Sequence, residues 1–197
     1  MPGVGAPRPR RVIVTVMAEV SLLRPDALTE AMPRLVEIYA AAFSEPPHVQ
    51  SDGEPERFRA VLADHRMRKG FLLAAACEDD ELHGFAYGYP GGPGEWWHDR
   101  VAAAIDPAQA ARWLAPGYLE VVELAVAPNH QRQGLGERLL GALTTASGAS
   151  CAVLSTRVDA PALGFYARRH WQPIGELRFA ESGPVYVILA RDLRSGA

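Results

Sequence analysis

Apolar and polar residues alternate along this chain with two periodicities, one of about 3.6 residues and one of about two residues. The helical periodicity is clearest near the N-terminus, where Leu28, Met32 and Leu35 share one face behind Asp26, a residue suited to cap a helix. The two-residue periodicity and short apolar runs recur further along the chain. Helices are predicted over 27–43, 54–69, 100–114, 135–147 and 161–169, and strands over 18–23, 71–77, 82–89, 118–126, 151–155, 172–179 and 185–190.

The order of these elements predicts a mixed α/β fold. Strand pairs interspersed with helices indicate a central, largely antiparallel sheet of six or seven strands flanked by helices. The one strand–helix–strand unit, 118–155, predicts two parallel neighbouring strands with a right-handed crossover. A proline- and glycine-rich loop is predicted at 90–94 and continues through Trp96 and Trp97. We expect residues 1–16 to form a flexible tail and residues 17–197 to form a single domain.

Composition and charge exclude several classes of function. The 197 residues are 48% hydrophobic and 22% charged, with a formal net charge of −3, so no basic surface for nucleic acid is expected. No apolar run approaches the roughly 20 residues that cross a bilayer, so no membrane partner is expected. Cys77, Cys151 and the six histidines show no metal-ligand spacing. We therefore expect no metal site, reduced cysteines and a cytoplasmic location.

A glycine-containing turn follows strand 118–126 and leads into an amphipathic helix. Gly134 and Gly136 would let an anion approach the first helical amides, which have no intrahelical acceptors. The turn is not a P-loop, because Glu137 stands where the lysine should follow the last glycine. It is not a dinucleotide fingerprint either, because Leu139 replaces the third glycine or alanine. The turn therefore predicts a site for another phosphate-bearing ligand.

The turn 131–136, which reads Gln-Arg-Gln-Gly-Leu-Gly, resembles the acetyl-CoA-binding motif Gln/Arg-x-x-Gly-x-Gly/Ala of the GCN5-related N-acetyltransferases (GNAT). The resemblance extends over about residues 18–193 in the family's order of elements and indicates a bacterial member. It implies acetyl-CoA as cosubstrate, with its pyrophosphate held by backbone amides of the turn. The residues that it implies in coenzyme binding are Leu124, Ala125, Val126, Gln131, Arg132, Gln133, Gly134, Leu135, Gly136, Glu137 and Asp159. Many members of the family carry Asn at the position of Asp159.

Acetyl transfer from a thioester to an amine requires a base, a polarised carbonyl and a proton donor for the departing thiolate. Glu120 and Glu123 lie in an apolar strand, where burial would raise their pKa values toward neutrality, and would face opposite sides of a regular strand. Glu120 is the first choice of base, because its spacing from Gly134 resembles that of the histone acetyltransferase branch, and Glu123 is the second. The resemblance implies Tyr166 as general acid and backbone amides of 124–126 as the polarising groups.

Aromatic residues are candidates for the acceptor pocket. Trp96 and Trp97 could form a wall suited to a flat or cationic amine, or could pack in the core instead. Tyr39 and Phe43 occupy the region that borders the acceptor site in the GNAT family. Dimers are common in that family, and the resemblance leaves a homodimer open.

Two functions are consistent with the sequence. The first is acetyl-CoA-dependent N-acetyl transfer to a primary amine of a small molecule or peptide. Direct attack in a ternary complex is expected, because no cysteine lies in the motif region to carry the acyl group. The alternative is a catalytically silent module of the same fold that binds acyl-CoA.

Overall fold

The computed structural model describes residues 18–24, 26–48, 52–115 and 117–194, and the predicted tail 1–16 lies outside these ranges. The described part contains seven strands and six α-helices. The strands are β1 (Glu19–Leu22), β2 (Leu72–Glu78), β3 (Glu81–Pro90), β4 (Leu119–Val126), β5 (Cys151–Arg157), β6 (Gln172–Arg178) and β7 (Val185–Asp192). The helices are α1 (Ala27–Ala42), α2 (Glu54–His65), α3 (Trp96–Ala104), α4 (Pro107–Trp113), α5 (Leu135–Ser147) and α6 (Ala162–Ala167).

The strands form one sheet in the order β1-β2-β3-β4-β5-β7-β6. All neighbouring pairs are antiparallel except β4 and β5, which are parallel and are connected through α5. This arrangement confirms the predicted mixed α/β fold and its single parallel unit. In the described part of the chain, no helix is both long and apolar enough to cross a membrane.

Helices cover both faces of the sheet. On one face, α5 places Leu139, Leu140 and Leu143 against small and aliphatic residues of β2 to β5. On the other face, α1 and α2 cover β2 and β3, and α3 and α4 cover β5 to β7. Adjacent residues of β5 belong to different clusters, because Ala152 packs with α5 and Val153 with the opposite helices.

The connection between β3 and β4 differs from its prediction. Trp96 is the first residue of α3, so the predicted loop through Trp96 and Trp97 is wrong. The insert predicted as one helix over 100–114 is two helices, because the backbone is extended at Ile105. Asp106 caps α4 by accepting a hydrogen bond from the Ala108 N–H at 2.8 Å.

β4 contains an extra residue relative to β3. Tyr89 lies opposite Glu120 and Tyr87 opposite Glu123, so one residue separates the tyrosines while two separate the glutamates. The extra residue, Val122, forms a β-bulge. Directly opposed residues of antiparallel strands share a face, so both glutamates lie on the face of the two tyrosines. The expectation that they face opposite sides is therefore wrong.

Candidate active site

The two parallel strands at the centre of the sheet separate soon after they begin. Among the described residues, β4 and β5 pair at two positions, Leu119 with Ala152 and Glu120 with Val153. Beyond Glu120, the backbone groups of β4 that face β5 are left without a ladder partner. A cavity of about 470 Å³ opens in this gap, and we call it the β4–β5 cleft.

The lining of the cleft comes from both sides of the split and from the helices above it. It contains five of the residues predicted for the site: Tyr39, Phe43, Glu123, Leu124 and Tyr166. The other lining residues are His48, Glu54, Val121, Val122, Leu154, Ser155, Thr156, Arg157, Ala162, Pro184 and Tyr186. Glu120, Ala125, Val126, Trp96 and Trp97 are outside this lining.

Glu123 is the carboxylate of β4 that reaches the cleft. Its side chain is half-buried, and one oxygen accepts a hydrogen bond from the backbone N–H of Leu124 at 3.2 Å. Burial raises the pKa of Glu123 to about 7, although the Leu124 N–H acts in the opposite direction. The group can therefore gain or lose a proton near neutral pH, which is the property that a general base requires.

Glu120 lies behind the cleft. Its side chain is 3% exposed, and the Tyr89 hydroxyl donates a hydrogen bond to one carboxylate oxygen at 3.2 Å. The second oxygen has no hydrogen-bond partner among the described residues. Burial raises the pKa of Glu120 to about 7, opposed by the Tyr89 hydrogen bond and by the charge of Arg68. Glu120 thus has a raised pKa but is not part of the lining of the cleft.

Tyr166 reaches the cleft from α6. It is 7% exposed, and its ring meets those of Phe165 and Trp171 edge-on, with centroid distances of 5.2 Å and 5.6 Å. Within the described ranges, its hydroxyl has no hydrogen-bond partner. Burial raises the pKa of Tyr166, and the charge of Glu123 raises it further. The hydroxyl therefore keeps its proton at neutral pH and can donate it.

Gly134 is the residue at which the turn becomes helix α5. Its φ of +82° is in the left-handed region that favours glycine, although a Cβ there would meet no atom within 4 Å. In the described structure, no side-chain hydrogen bond caps this helix. The first amides of a 13-residue helix and the positive end of its dipole are thus available to an anion.

Two glutamines brace the turn from within. The side-chain amide of Gln131 donates to the carbonyl of Val126 at 3.0 Å, and that of Gln133 donates to the carbonyl of Asn129 at 2.9 Å. Arg132, between them, is exposed and has a φ of +59°. These bonds fix the backbone of the turn and do not use its backbone N–H groups as donors.

An arginine connects the start of α5 to α6. Arg169 donates to the Glu137 carboxylate at 2.6 Å and to the Phe165 carbonyl at 3.0 Å, and its guanidinium lies 3.9 Å from the centroid of the Phe165 ring. The pairing offsets the negative charge that Glu137 brings to the anion site. A Cβ at Gly136 would lie 3.6 Å from Phe165, so the same aromatic ring borders the first turn of α5.

Aromatic rings form the wall of the cleft on the side of α1. The Tyr39 ring stacks on that of Phe58 at 4.0 Å and lies 5.0 Å from that of Phe43. The Phe43 ring meets that of His48 edge-on at 5.0 Å. The Tyr39 hydroxyl donates to Glu54 at 3.4 Å, so this wall also contains a carboxylate.

The two tryptophans predicted for the acceptor pocket lie elsewhere. Trp96 is 63% exposed and stacks on Phe179 with a centroid distance of 5.4 Å. The indole N–H of Trp97 donates to the hydroxyl of Ser155 at 3.2 Å. Since Ser155 lines the cleft, Trp97 supports the wall without being part of it.

Asp159 lies just after β5. It is exposed and accepts two hydrogen bonds from Arg157, at 2.8 Å and 2.9 Å. These bonds hold the pKa of Asp159 below its usual value. The pair orients Arg157, a cation in the lining of the cleft that sequence reasoning missed.

Among the lining residues that were not predicted, four have ionisable side chains: His48, Glu54, Arg157 and Tyr186. The position of Arg157 could have been inferred, because it ends the strand parallel to β4, and a split between parallel strands exposes their carboxyl ends. The other three carry no local motif, and only the folded chain brings them to the cleft.

Comparisons with known proteins identify the family of this chain. Residues 32–171 match the model of the Acetyltransferase (GNAT) family. The chain is 33% identical over 112 residues to the GCN5-like protein acetyltransferase Rv2170 of Mycobacterium tuberculosis. That match covers 55% of this chain and 52% of the relative, so it spans about half the length of the relative.

Solved structures share the fold at low sequence identity. The ribosomal-protein-S18-alanine N-acetyltransferase of Escherichia coli has a TM-score of 0.61 and 19% identity, over 90% of this chain and 94% of that chain. The PaiA N-acetyltransferase of Thermoplasma acidophilum, solved with coenzyme A, has a TM-score of 0.60 and 13% identity, over 90% and 99%. The family match includes most of the lining of the β4–β5 cleft, the glycine turn and Tyr166, and this chain belongs to the GNAT family of acetyltransferases.

Proposed function

We propose that this protein is an acetyl-CoA-dependent N-acetyltransferase that modifies a primary amine of a small molecule or peptide. The observation that carries the proposal is that Glu123 and Tyr166 line the same cleft. The part of β4 that is not paired with β5 leads from this cleft toward the glycine turn. When bound, acetyl-CoA supplies the acetyl thioester. Direct attack in a ternary complex is favoured, because Cys77 and Cys151 are outside the lining of the cleft.

The fit of the coenzyme rests on two features of this chain. The uncapped amides at the start of α5 suit the pyrophosphate, because they combine free donors with the positive end of the helix dipole. The unpaired edge of β4 beyond Glu120 offers donors and acceptors to the amide groups of the pantetheine arm.

Glu123 takes the role of base in this proposal. A protonated amine cannot attack a carbonyl carbon, so the amine must lose a proton to a group within reach. Glu123 lines the cleft and has a pKa of about 7, which supports this role over that of Glu120, the first choice from the sequence. Glu120 has a similar pKa but lies outside the lining.

Tyr166 takes the role of acid. Glu123 first takes one proton from the ammonium group. As the neutral amine forms the C–N bond and the C–S bond breaks, the nitrogen loses its surplus proton to solvent, and the Tyr166 hydroxyl gives its proton to the sulfur. The raised pKa of Tyr166 supports this role, because it keeps the hydroxyl protonated until the thiolate appears. Solvent then returns a proton to Tyr166 and accepts the proton held by Glu123, so both groups are restored.

Backbone amides of β4 are proposed to polarise the acetyl carbonyl. The N–H of Leu124 donates to the carboxylate of its own neighbour, Glu123, and Leu124 lines the cleft. If the Leu124 N–H donated its hydrogen bond to the acetyl oxygen instead of to Glu123, it would stabilise the negative charge that develops on that oxygen. It would also remove an interaction that lowers the pKa of Glu123, and so strengthen the base.

A panel of amines offered with acetyl-CoA, with detection of free thiol, tests the activity. The enzyme should release thiol with at least one class of amine, whereas a silent binding module should be stabilised by coenzyme A and release none. Glu123→Gln and Tyr166→Phe should each lower kcat by about 10²–10⁴-fold. Both should retain binding of coenzyme A by calorimetry. The exposed Glu176→Gln is the matched control. Full activity in both variants would refute the assigned roles.

A further inference from the structure

A second cluster of side chains lies outside the cleft. Glu78 ends β2, His83 lies in β3, and His130 ends the short 3₁₀ turn Pro128–His130. Each offers one ligand atom, a carboxylate oxygen or an imidazole nitrogen, and these atoms lie within 4.8 Å of one another. None of the three lines the β4–β5 cleft. We refer to Glu78, His83 and His130 as the hairpin cluster.

The polar atoms of this cluster are incompletely satisfied. His83 is 6% exposed, and its Nδ1 atom is buried without a hydrogen-bond partner among the described residues. The Nδ1 atom of His130 is buried and equally unpartnered. A buried nitrogen without a partner is unfavourable, so a ligand that bonds to both nitrogens would remove this cost.

A β-bulge sets the position of His83. Ala76 lies opposite Gly84 and Cys77 lies opposite Leu82, so His83 is the extra residue of β3. Bulges turn a side chain away from the regular alternation of a strand. This one presents the His83 ring to that of His130, at a centroid distance of 3.8 Å and an interplanar angle of 14°.

The backbone holds the two histidines together. The N–H of Ala127 donates to the carbonyl of His83 at 2.8 Å, and the N–H of His130 donates to the carbonyl of Ala127 at 2.8 Å. These bonds connect β3 to the turn that carries His130. The pairing of the two imidazoles is therefore built into the fold and does not depend on long, exposed side chains.

We propose that Glu78, His83 and His130 bind one divalent transition-metal ion, with Zn²⁺ as the preferred ion. Two imidazole nitrogens and one carboxylate oxygen are common zinc ligands, and they leave the fourth position of a tetrahedral site open to water. A metal lies in the plane of each imidazole that binds it. The two stacked rings therefore tilt apart as the ion enters, and their buried nitrogens gain the partner that they lack.

In this proposal the ion stabilises the local structure, with water as its fourth ligand, and takes no part in acetyl transfer. His130 directly precedes the turn 131–136, whose amides face the proposed coenzyme. An ion bound by the cluster would connect the β2–β3 hairpin to that turn. It would restrain the backbone at His130, the residue that precedes the turn. Metal binding should therefore raise the thermal stability of the protein and should tighten its binding of coenzyme A.

Direct metal titration of the untagged protein tests the site. After treatment with a chelator and dialysis, calorimetry should show one Zn²⁺ per chain, and Co²⁺ should give the intense visible absorption of a tetrahedral site. Loss of an outer-shell partner typically weakens metal binding by about 10–100-fold. Loss of a direct ligand in His83→Gln, His130→Gln or Glu78→Gln should weaken it at least as much. The exposed His170→Asn is the control and should bind as the wild type does.

Two further readouts separate ligation from folding. Zn²⁺ should raise the Tm of the wild type and of His170→Asn but not of the cluster variants. Far-UV circular dichroism should show that the half-buried substitutions, His130→Gln and Glu78→Gln, keep the fold even if His83→Gln does not. Absence of Zn²⁺ binding in the wild type, or unchanged affinity in either of these two variants, overturns the proposal. Because binding is measured without acetyl transfer, failure here leaves the proposed activity unaffected.

Discussion

Replacement of Glu120 by glutamine should reduce the pH dependence of folding stability and leave the part that is due to Glu123. The carboxylate is 3% exposed, and burial raises its pKa from 4.5 to about 7. Between these two values the folded state binds more protons at this site than the unfolded state does. The free energy of unfolding therefore falls as the pH rises from about 4.5 to about 7, and wild-type protein carries the full cost of the buried charge above that window.

The size of the effect follows from the two pKa values. At roughly 1.4 kcal/mol per pH unit, the rise from 4.5 to about 7 corresponds to about 3 kcal/mol for this single group. Glutamine keeps an acceptor for the Tyr89 hydroxyl but places an amide nitrogen where the second oxygen has no partner. The amide leaves two N–H donors there, whereas the protonated carboxyl leaves one O–H donor, so the substitution costs about 1–3 kcal/mol relative to the protonated wild type. The variant should thus be less stable than the wild type at pH 5 and about equal or more stable at pH 8.

Urea unfolding followed by tryptophan fluorescence at intervals from pH 5 to pH 8 measures this crossing. The exposed Glu176→Gln should keep the wild-type slope, since it removes a carboxylate without removing a buried one. A Glu120→Gln protein whose stability runs parallel to that of the wild type over the whole range would refute the reasoning. It would show that the Glu120 carboxylate does not change its protonation on folding.

Four further outcomes are expected. Leu139→Ala, in the fully buried face of α5, should lose about 2–5 kcal/mol of stability in urea. Gly134→Val should weaken coenzyme A binding in calorimetry, because a β-branched residue resists the φ of +82°. Trp96→Ala should leave the KM for the amine unchanged, whereas a raised KM would restore the sequence-based assignment. kcat/KM should rise with pH through about 7 as Glu123 loses its proton, and Glu123→Gln should lack this rise.

Local patterns were sufficient to predict most of the fold. Helix α5 occupies residues 135–147, as predicted, because its leucines repeat at helical spacing and glycines bound it at both ends. The parallel pairing of β4 and β5 also followed from the sequence, since a strand–helix–strand unit constrains its own geometry. The residues of the glycine turn could also be predicted from the sequence, because they are consecutive in the chain.

Features that depend on pairing between distant segments were not predicted. The bulge at Val122 arises from the register of β4 against β3, and nothing in the local sequence marks it, yet it decides which face Glu123 occupies. The hairpin cluster was not anticipated, because Glu78 and His83 are far from His130 in the sequence. Trp96 was assigned to a loop because the prolines and glycines before it conceal the start of a short helix.

The split between β4 and β5 has a consequence for the cooperativity of the molecule. The two strands share two residue pairs, so the backbone ladder that joins β1–β4 to β5–β7 is short. Each of these halves has its own antiparallel ladders, and opening of the seam between them would break few hydrogen bonds. A ligand that bonds to both edges of the cleft would add to the few hydrogen bonds across the seam. Hydrogen exchange at the seam should therefore slow more on binding than exchange within either half.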